Sequence, residues 1–259
     1  MYHFKRKQMI SDDEVPRVSV VIPTLNEAAN ICHVLPFIPT WVHEILIVDG
    51  YSTDNTINVC RDIRPDAHII MQEGRGKGSA LRTGFKYATG DVIVMLDADG
   101  STDPREIPRY VAQLMNGADF VKGSRFLQGG GTSDMTFIRR LGNWGLTMFV
   151  RLLFGGRYTD LCYGYNAFWT WVVPILNLDG TGFEIETMMN IRALKAKLNV
   201  YEVPSFEYER VYGVSRLNAF KDGLRVLRAI LAEWIRIPER QAVRQRRVTV
   251  MSLEAPTDV

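Results

Sequence analysis

The sequence predicts an α/β protein with a mainly parallel central sheet flanked by helices. Three observations carry that expectation. Short β-branched runs alternate with helical patterns through the first half, a fifth short run follows them, and polar residues gather where each run ends. In parallel sheets of this kind, ligands bind beyond the C-terminal ends of the strands.

The first run, RVSVVIP, ends at Thr24, Asn26 and Glu27 and leads into a helix from about Glu27 to Phe37. EILIVDG ends at Asp49, and a helix from about Asp54 to Ile63 follows. HIIMQ ends at Glu73 and Arg75, ahead of a helix from about Lys77 to Ala88. DVIVMLDADG delivers Asp97 and Asp99 before a helix from about Pro104 to Asn116, and DFVKGSR closes the series at Arg125. The second half loses this rhythm. GGGTSD reads as a flexible stretch, and MTFIRRLGNWGLTMFVRLLFGG as one aromatic-rich helix or two with basic residues at one end. TGFEIETMMNIRALKAKL is an amphipathic helix, NVYEVPSFEYER a strand, and AFKDGLRVLRAILAEWIRI a last helix with basic residues on one side and Leu, Ile and Trp on the other.

With 259 residues, 46% of them hydrophobic, the chain can bury a substantial core. A formal charge of +2 gives no argument for nucleic acid, but basic residues collect at both ends: Lys5, Arg6 and Lys7, then Arg240, Arg244, Arg246 and Arg247. Such ends are solvated tails or points of attraction to an anionic membrane surface. Cys32, Cys60 and Cys162 form no CxxC and suggest neither a disulfide framework nor a thiolate metal site, so a reducing cytoplasm fits best. No signal peptide is visible, and no stretch reaches the ~18 apolar residues needed to span a bilayer.

Asp97 and Asp99 stand two apart, so in extended geometry both carboxylates project to one side and suit a hard divalent cation, Mg²⁺ or Mn²⁺. The bland reading is a turn that caps the next helix; four other strands bringing polar groups to the same edge argue against it. Asp49 suits hydrogen bonds to a nucleobase edge or ribose hydroxyls. EGRGKGSALRTG lacks the GKS of a Walker A loop and the third glycine of a dinucleotide fingerprint. It is a Gly-rich turn into a helix, or a loop that lays Arg75 and Lys77 against a nucleotide.

Taken in order, PTLNE at 23–27, VDGYSTDNT at 48–56, GRGKGSALRTG at 74–84, ATGDVIVMLDADG at 88–100 and GSRF at 123–126 resemble family 2 glycosyltransferases, whose single-domain fold is called GT-A. GSRFLQGGG, IRRLGN and ERVYGVSRL are similar to the polyprenyl-phosphate branch typified by dolichol-phosphate mannose synthase. The resemblance spans about residues 17–220. It sets the expected organisation: an N-terminal tail, 1–16; a catalytic domain, 17–220; an amphipathic helix, 221–239; and a basic tail, 240–259.

The resemblance implies an inverting, metal-dependent transfer of a hexosyl group from a nucleotide sugar to a polyprenyl or dolichyl phosphate at the cytoplasmic face of a membrane. It places Pro23, Leu25 and Glu27 beside base and ribose, with Asp49 completing the pocket, and Asp97 and Asp99 on the metal. Arg125 would meet the donor diphosphate and Arg210 close over it; Arg139 and Asn143 would face the acceptor phosphate. Ser101 stands where the pattern often has Gln, a metal ligand or near-ligand. VDGYS in place of the commoner VDDGS leaves the donor open between GDP-mannose and a UDP-sugar. A phosphate acceptor needs no proton removed, whereas a soluble hydroxyl acceptor needs a base, for which Asp160, Glu184 and Glu186 are candidates. A nucleotidyltransferase would want an early Gly-rich loop for a triphosphate, and strand one ends instead in PTLNE.

Overall fold

In the computed structural model, which describes residues 15–213 and 219–236, the run Val18–Thr24 forms strand β1 and is buried almost throughout. A strand apolar on both faces belongs between two layers of helices. It pairs in parallel with β2 (Glu44–Asp49) on one side and β4 (Val92–Met95) on the other. β3 (His68–Met71) is a half-exposed edge beside β2. Past β4 come β7 (Asn166–Trp169), β5 (Phe120–Ser124) and β8 (Val200–Pro204), in the order β3-β2-β1-β4-β7-β5-β8.

β7 runs antiparallel to both neighbours and separates β4 from β5. No sequence signal marks it: NAFW runs on into TWVVPIL without turn residues, so the strand merges with the 3-10 turn Thr170–Val172 and the short helix after it, Val173–Leu176.

The helix expected from Glu27 to Phe37 is broken. α1 covers only Ala28–Ile31, and Leu35–Phe37 is a 3-10 turn. Pro36 lacks an N–H and steers the residue before it away from helical geometry, which accounts for the break. α2 (Thr56–Ile63), α3 (Lys77–Tyr87) and α4 (Ile107–Met115) follow their strands as expected, α4 through a 3-10 turn capped by Asp103. α3 lies close on β1, since a methyl group on Gly84 would run into Val21.

The aromatic-rich segment is one helix, α5 (Phe137–Phe154), whose cap Thr136 accepts from the Arg139 amide. With Val173–Leu176 counted as α6, the amphipathic segment is α7 (Glu184–Lys195) and the last helix α8 (Ala219–Ile235). The boundary expected at 220/221 therefore falls inside α8. α5, α7 and α8 share a second small core around Val150, Ile191, Val226 and Ile230. A two-stranded ribbon pairs β6 (Gly131–Thr132) with β9 (Phe206–Glu207). The terminal basic residues, Lys5 to Lys7 and Arg240 to Arg247, lie outside the described residues, as does the tail at 240–259.

Strand order turns in opposite directions on the two sides of β1, towards β2 and β3 on one and towards β4 on the other. In sheets of this kind the crevice beyond the C-terminal ends of the strands at such a reversal, here β1 and β4, is where ligands bind.

Candidate active site

β4 stops at Met95, and the chain turns through residues 98–100 with Gly100 at φ 78°. The extended geometry expected for Asp97 and Asp99 is thus absent, and the two carboxylates meet different cations. Asp97 lies 2.6 Å from the Lys77 ammonium, which is also 2.7 Å from Glu186. Asp99 lies 3.2 Å from Arg210 through one oxygen; through the other it accepts from the Ser101 amide at 3.0 Å and hydroxyl at 2.7 Å. Ser101 therefore orients Asp99 with its own proton.

Arg210 also grips Glu27, at 3.1 Å. Its segment is pinned across the rim: Tyr208 N donates to Ser101 O at 2.8 Å, and Tyr212 N donates to Asn30 Oδ1 at 2.8 Å. Asn30 in turn donates to Glu27 at 2.7 Å. Glu27, Asn30, Asp99 and Arg210 thus form one polar bridge from the end of β1 to the loop after β4. Neither Asn30 nor Tyr212 carries a local sequence signal, because 182 residues separate them.

Asp49 is fully buried and accepts from Thr24, at 3.1 Å, and from the amide and hydroxyl of Ser52, at 2.8 and 2.6 Å. It ties the ends of β1 and β2 into the floor of the crevice. Pro23 is half-buried beside it and Leu25 is exposed at the rim. Asn26 and Tyr51, on the loops after these strands, both hold positive φ, at 55° and 65°. Such non-glycine strain gathers at ligand sites.

The Gly-rich loop is shaped by packing. A methyl group on Gly78 would lie 2.6 Å from Gly180 O, and the amides of Gly78 and Ser79 already donate to Thr181 O. The loop sends Lys77 inward and leaves Arg75 exposed. Burial alone would lower the Lys77 pKa, but Asp97 and Glu186 hold it well above its ordinary value. For Glu186, burial pushes the carboxyl up, Lys77 opposes, and Asp97 adds to the rise.

A second charge cluster lies within the fold. Arg125 is 5% exposed; its guanidinium meets Asp160 at 2.7 Å and Glu207 at 3.0 Å and lies over the Tyr163 ring. Asn143 donates to Asp160 at 3.0 Å, so Asn143 joins Arg125 and not Arg139. Burial would raise the Asp160 carboxyl, but Arg125 keeps it below the usual carboxylate range. Lys122, fully buried, donates to Tyr163 O at 2.8 Å, and burial lowers its pKa. Arg139 is a quarter exposed and paired with Asp134 at 2.8 Å, while Arg140 is exposed near Phe126. Glu184 accepts from the amides of Thr181 and Gly182, so it and Glu186 diverge.

The model of the family described as glycosyl transferase family 2 matches residues 19–170, more than half of the chain and the whole carboxylate rim up to Asp99. The chain belongs to glycosyltransferase family 2. Among curated relatives of this family 2 glycosyltransferase, the undecaprenyl-phosphate mannosyltransferase of Micrococcus luteus is 31% identical, covering 78% of this chain and 88% of that one. The polyprenol monophosphomannose synthase of Mycolicibacterium smegmatis is 31% identical, covering 84% and 86%. A crystal structure of glucosyl-3-phosphoglycerate synthase from Mycobacterium tuberculosis, in complex with Mn²⁺, UDP and glucosyl-3-phosphoglycerate, matches with a TM-score of 0.68 at 22% identity, covering 87% and 82%. The fold is GT-A, with the mostly parallel sheet flanked by helices that the sequence predicts.

For a glycosyltransferase of this family, the donor set bears on a metal. Among the described residues no group of three His, Cys, Asp or Glu side chains is arranged to hold one. Asp97 and Asp99 keep 30% and 20% of their side chains exposed. As oxygen donors they are of the kind that suits Mg²⁺ or Mn²⁺, but each is ion-paired, Asp97 with Lys77 and Asp99 with Arg210, so a cation bound there would displace those partners.

Proposed function

We propose that this glycosyltransferase moves a hexosyl group from GDP-mannose or a UDP-hexose to a polyprenyl phosphate, with inversion at the anomeric carbon. The observation that carries the choice of acceptor is the state of the three candidate bases. Both oxygens of Asp160 are taken by Arg125, Glu186 is closed on Lys77, and Glu184 turns one oxygen to two backbone amides while the other lies buried, 3.8 Å from Arg225. None is placed to take a proton from a hydroxyl. A phosphate monoester, with a second pKa near ~6, is already largely a dianion and needs no base. The names of the two lipid-phosphate relatives support the same acceptor.

In this reading Pro23, Leu25 and Asp49 form the floor and rim for base and ribose. Asp97 and Asp99 would hold Mg²⁺ or Mn²⁺, which when bound offsets charge on the donor diphosphate. Lys77 and Arg210, now on those carboxylates, supply positive charge to the same diphosphate as it departs. Arg125 acts on the site through Glu207 and Asp160, positioning the ribbon that precedes Tyr208. Arg139, shared with Asp134, and exposed Arg140 receive the acceptor phosphate.

The test is the pH–rate profile with polyprenyl phosphate, for the wild type and for Asp160→Asn, Glu184→Gln and Glu186→Gln. Rates should rise with ionisation of the acceptor and then stay level, and no single amide should change that shape. An acid-side rise abolished by one amide would assign that ionisation to a protein base and mean a hydroxyl acceptor.

A further inference from the structure

Tyr51 holds a backbone conformation that its side chain disfavours. Its φ of 65° lies in the left-handed region, which glycine adopts freely and a bulky residue rarely does, and the commoner VDDGS pattern has glycine at this position. Asn26, at φ 55°, is also left-handed, but asparagine tolerates that region. Bonds on both sides impose the conformation on Tyr51. Asp49 accepts from the Ser52 amide and hydroxyl, Ser52 Oγ accepts from the Asn26 amide at 2.8 Å, and Asn26 Oδ1 accepts from the Thr53 amide at 2.7 Å. The loops after β1 and β2 are thus locked to each other around residue 51. Such strain persists only where the surroundings over-determine it.

The core does not use the side chain held this way. Tyr51 is 60% exposed, and its hydroxyl donates to Gln72 O, just past the end of β3, at 3.4 Å. Fixed at its Cα on the loop after β2 and at its hydroxyl beside β3, the ring spans the rim while most of its surface stays open. Leu25, also exposed, stands close to Gly50, where an added Cβ would lie 3.5 Å from Leu25 Cβ. Asp49 offers no free oxygen here: Oδ1 accepts from the Ser52 amide and Oδ2 from the Thr24 and Ser52 hydroxyls. Asp97 and Asp99 follow β4, and β1 alone separates β4 from β2, so the strands that carry the ring and the two carboxylates lie about 10 Å apart. One nucleoside spans such a gap between its diphosphate and its base.

We propose that Tyr51 is the platform on which the donor's nucleobase stacks, with Leu25 beside it and with Asp49 positioning the loop through Ser52. The inference deepens the nucleotide-sugar reading of this crevice and rests on it. A ring fixed before binding loses little freedom when a flat base settles on it, and stacking accepts any base, since each has a π-face. Tyr51 therefore sets how tightly the base is held rather than which base is chosen.

Calorimetric titration of the full chain with GDP, UDP and inorganic pyrophosphate, each with Mg²⁺, tests the platform without sugar or acceptor. The nucleotide that the wild type binds should bind Tyr51→Ala and Tyr51→Gly about tenfold more weakly, and Tyr51→Phe within about threefold of the wild type. Pyrophosphate, which has no base, should not distinguish the four proteins. Tyr51→Gly should melt no lower than the wild type, because glycine relieves the left-handed strain. Undiminished nucleotide affinity in Tyr51→Ala would overturn the platform and leave the nucleotide-sugar reading standing. So would an equal loss for pyrophosphate, or a Tyr51→Gly protein that melts well below the wild type, which would make the ring a structural brace. A wild type that binds neither GDP nor UDP would refute the nucleotide-sugar reading and the platform with it.

Discussion

The Arg210 guanidinium lies 3.2 Å from Asp99 while its other nitrogen grips Glu27 at 3.1 Å. One cation thus joins the end of β1 to the loop that carries the candidate metal ligand. A donor diphosphate entering this crevice competes with both carboxylates for that guanidinium. Arg210→Ala should lower kcat by about 10²-fold, because the charge on the departing diphosphate loses a preorganised partner. Calorimetric titration of GDP or UDP should change much less. Equal losses in kcat and nucleotide affinity would assign Arg210 to ground-state binding.

Asp99→Asn keeps the bonds from Ser101 within reach but removes the charge. Turnover should fall by about 10² or more, and excess chelator should do the same to the wild type, with the melting temperature maintained. Full activity in excess chelator would remove the metal from this account.

The pairing of Arg139 with Asp134 makes the acceptor side adjustable. Arg139→Ala should raise the KM for polyprenyl phosphate about tenfold, since a charge-assisted contact is lost. Asp134→Asn, which releases Arg139, should lower that KM. Initial-rate kinetics at saturating donor would show both; a silent Arg139→Ala would move the phosphate elsewhere.

Much of this fold was legible in sequence because strands and helices are punctuated by Gly, Pro and Asp. β7 was not, since it continues into another apolar element without a turn residue. The rim was legible in part. Asp97, Asp99 and Asp49 announce themselves at strand ends, and they do stand at the C-terminal ends of β4 and β2, Asp49 fully buried there. Their partners do not announce themselves: Arg210 reaches Glu27 from 183 residues away and Asp99 from 111. Arg125 shows the same limit. A strand-end arginine reads as exposed, yet Asp160 and Glu207, 35 and 82 residues on, enclose it. Side-chain pairing across such separations leaves no periodic trace.

That enclosure predicts a pH dependence of stability. Asp160 has its folded pKa depressed, so its contribution is present above the ordinary carboxylate pKa of ~3.9 and is lost as pH falls towards the folded value. Asp160→Asn should destabilise the protein by about 3 kcal/mol at neutral pH, because Arg125 keeps its charge in the interior with Glu207 as its remaining carboxylate. Melting temperatures followed from pH 7 into the acid range should converge for the two proteins. A constant gap down to the acid transition would place the cost in packing.

The transfer itself is tested most directly by following labelled sugar from GDP-mannose and UDP-glucose with the full chain, Mg²⁺ or Mn²⁺, and either polyprenyl phosphate or 3-phosphoglycerate. Label from one donor should move into the organic phase only when polyprenyl phosphate is present, with the anomeric configuration inverted. Label that reaches 3-phosphoglycerate and never the lipid would contradict a polyprenyl-phosphate hexosyltransferase.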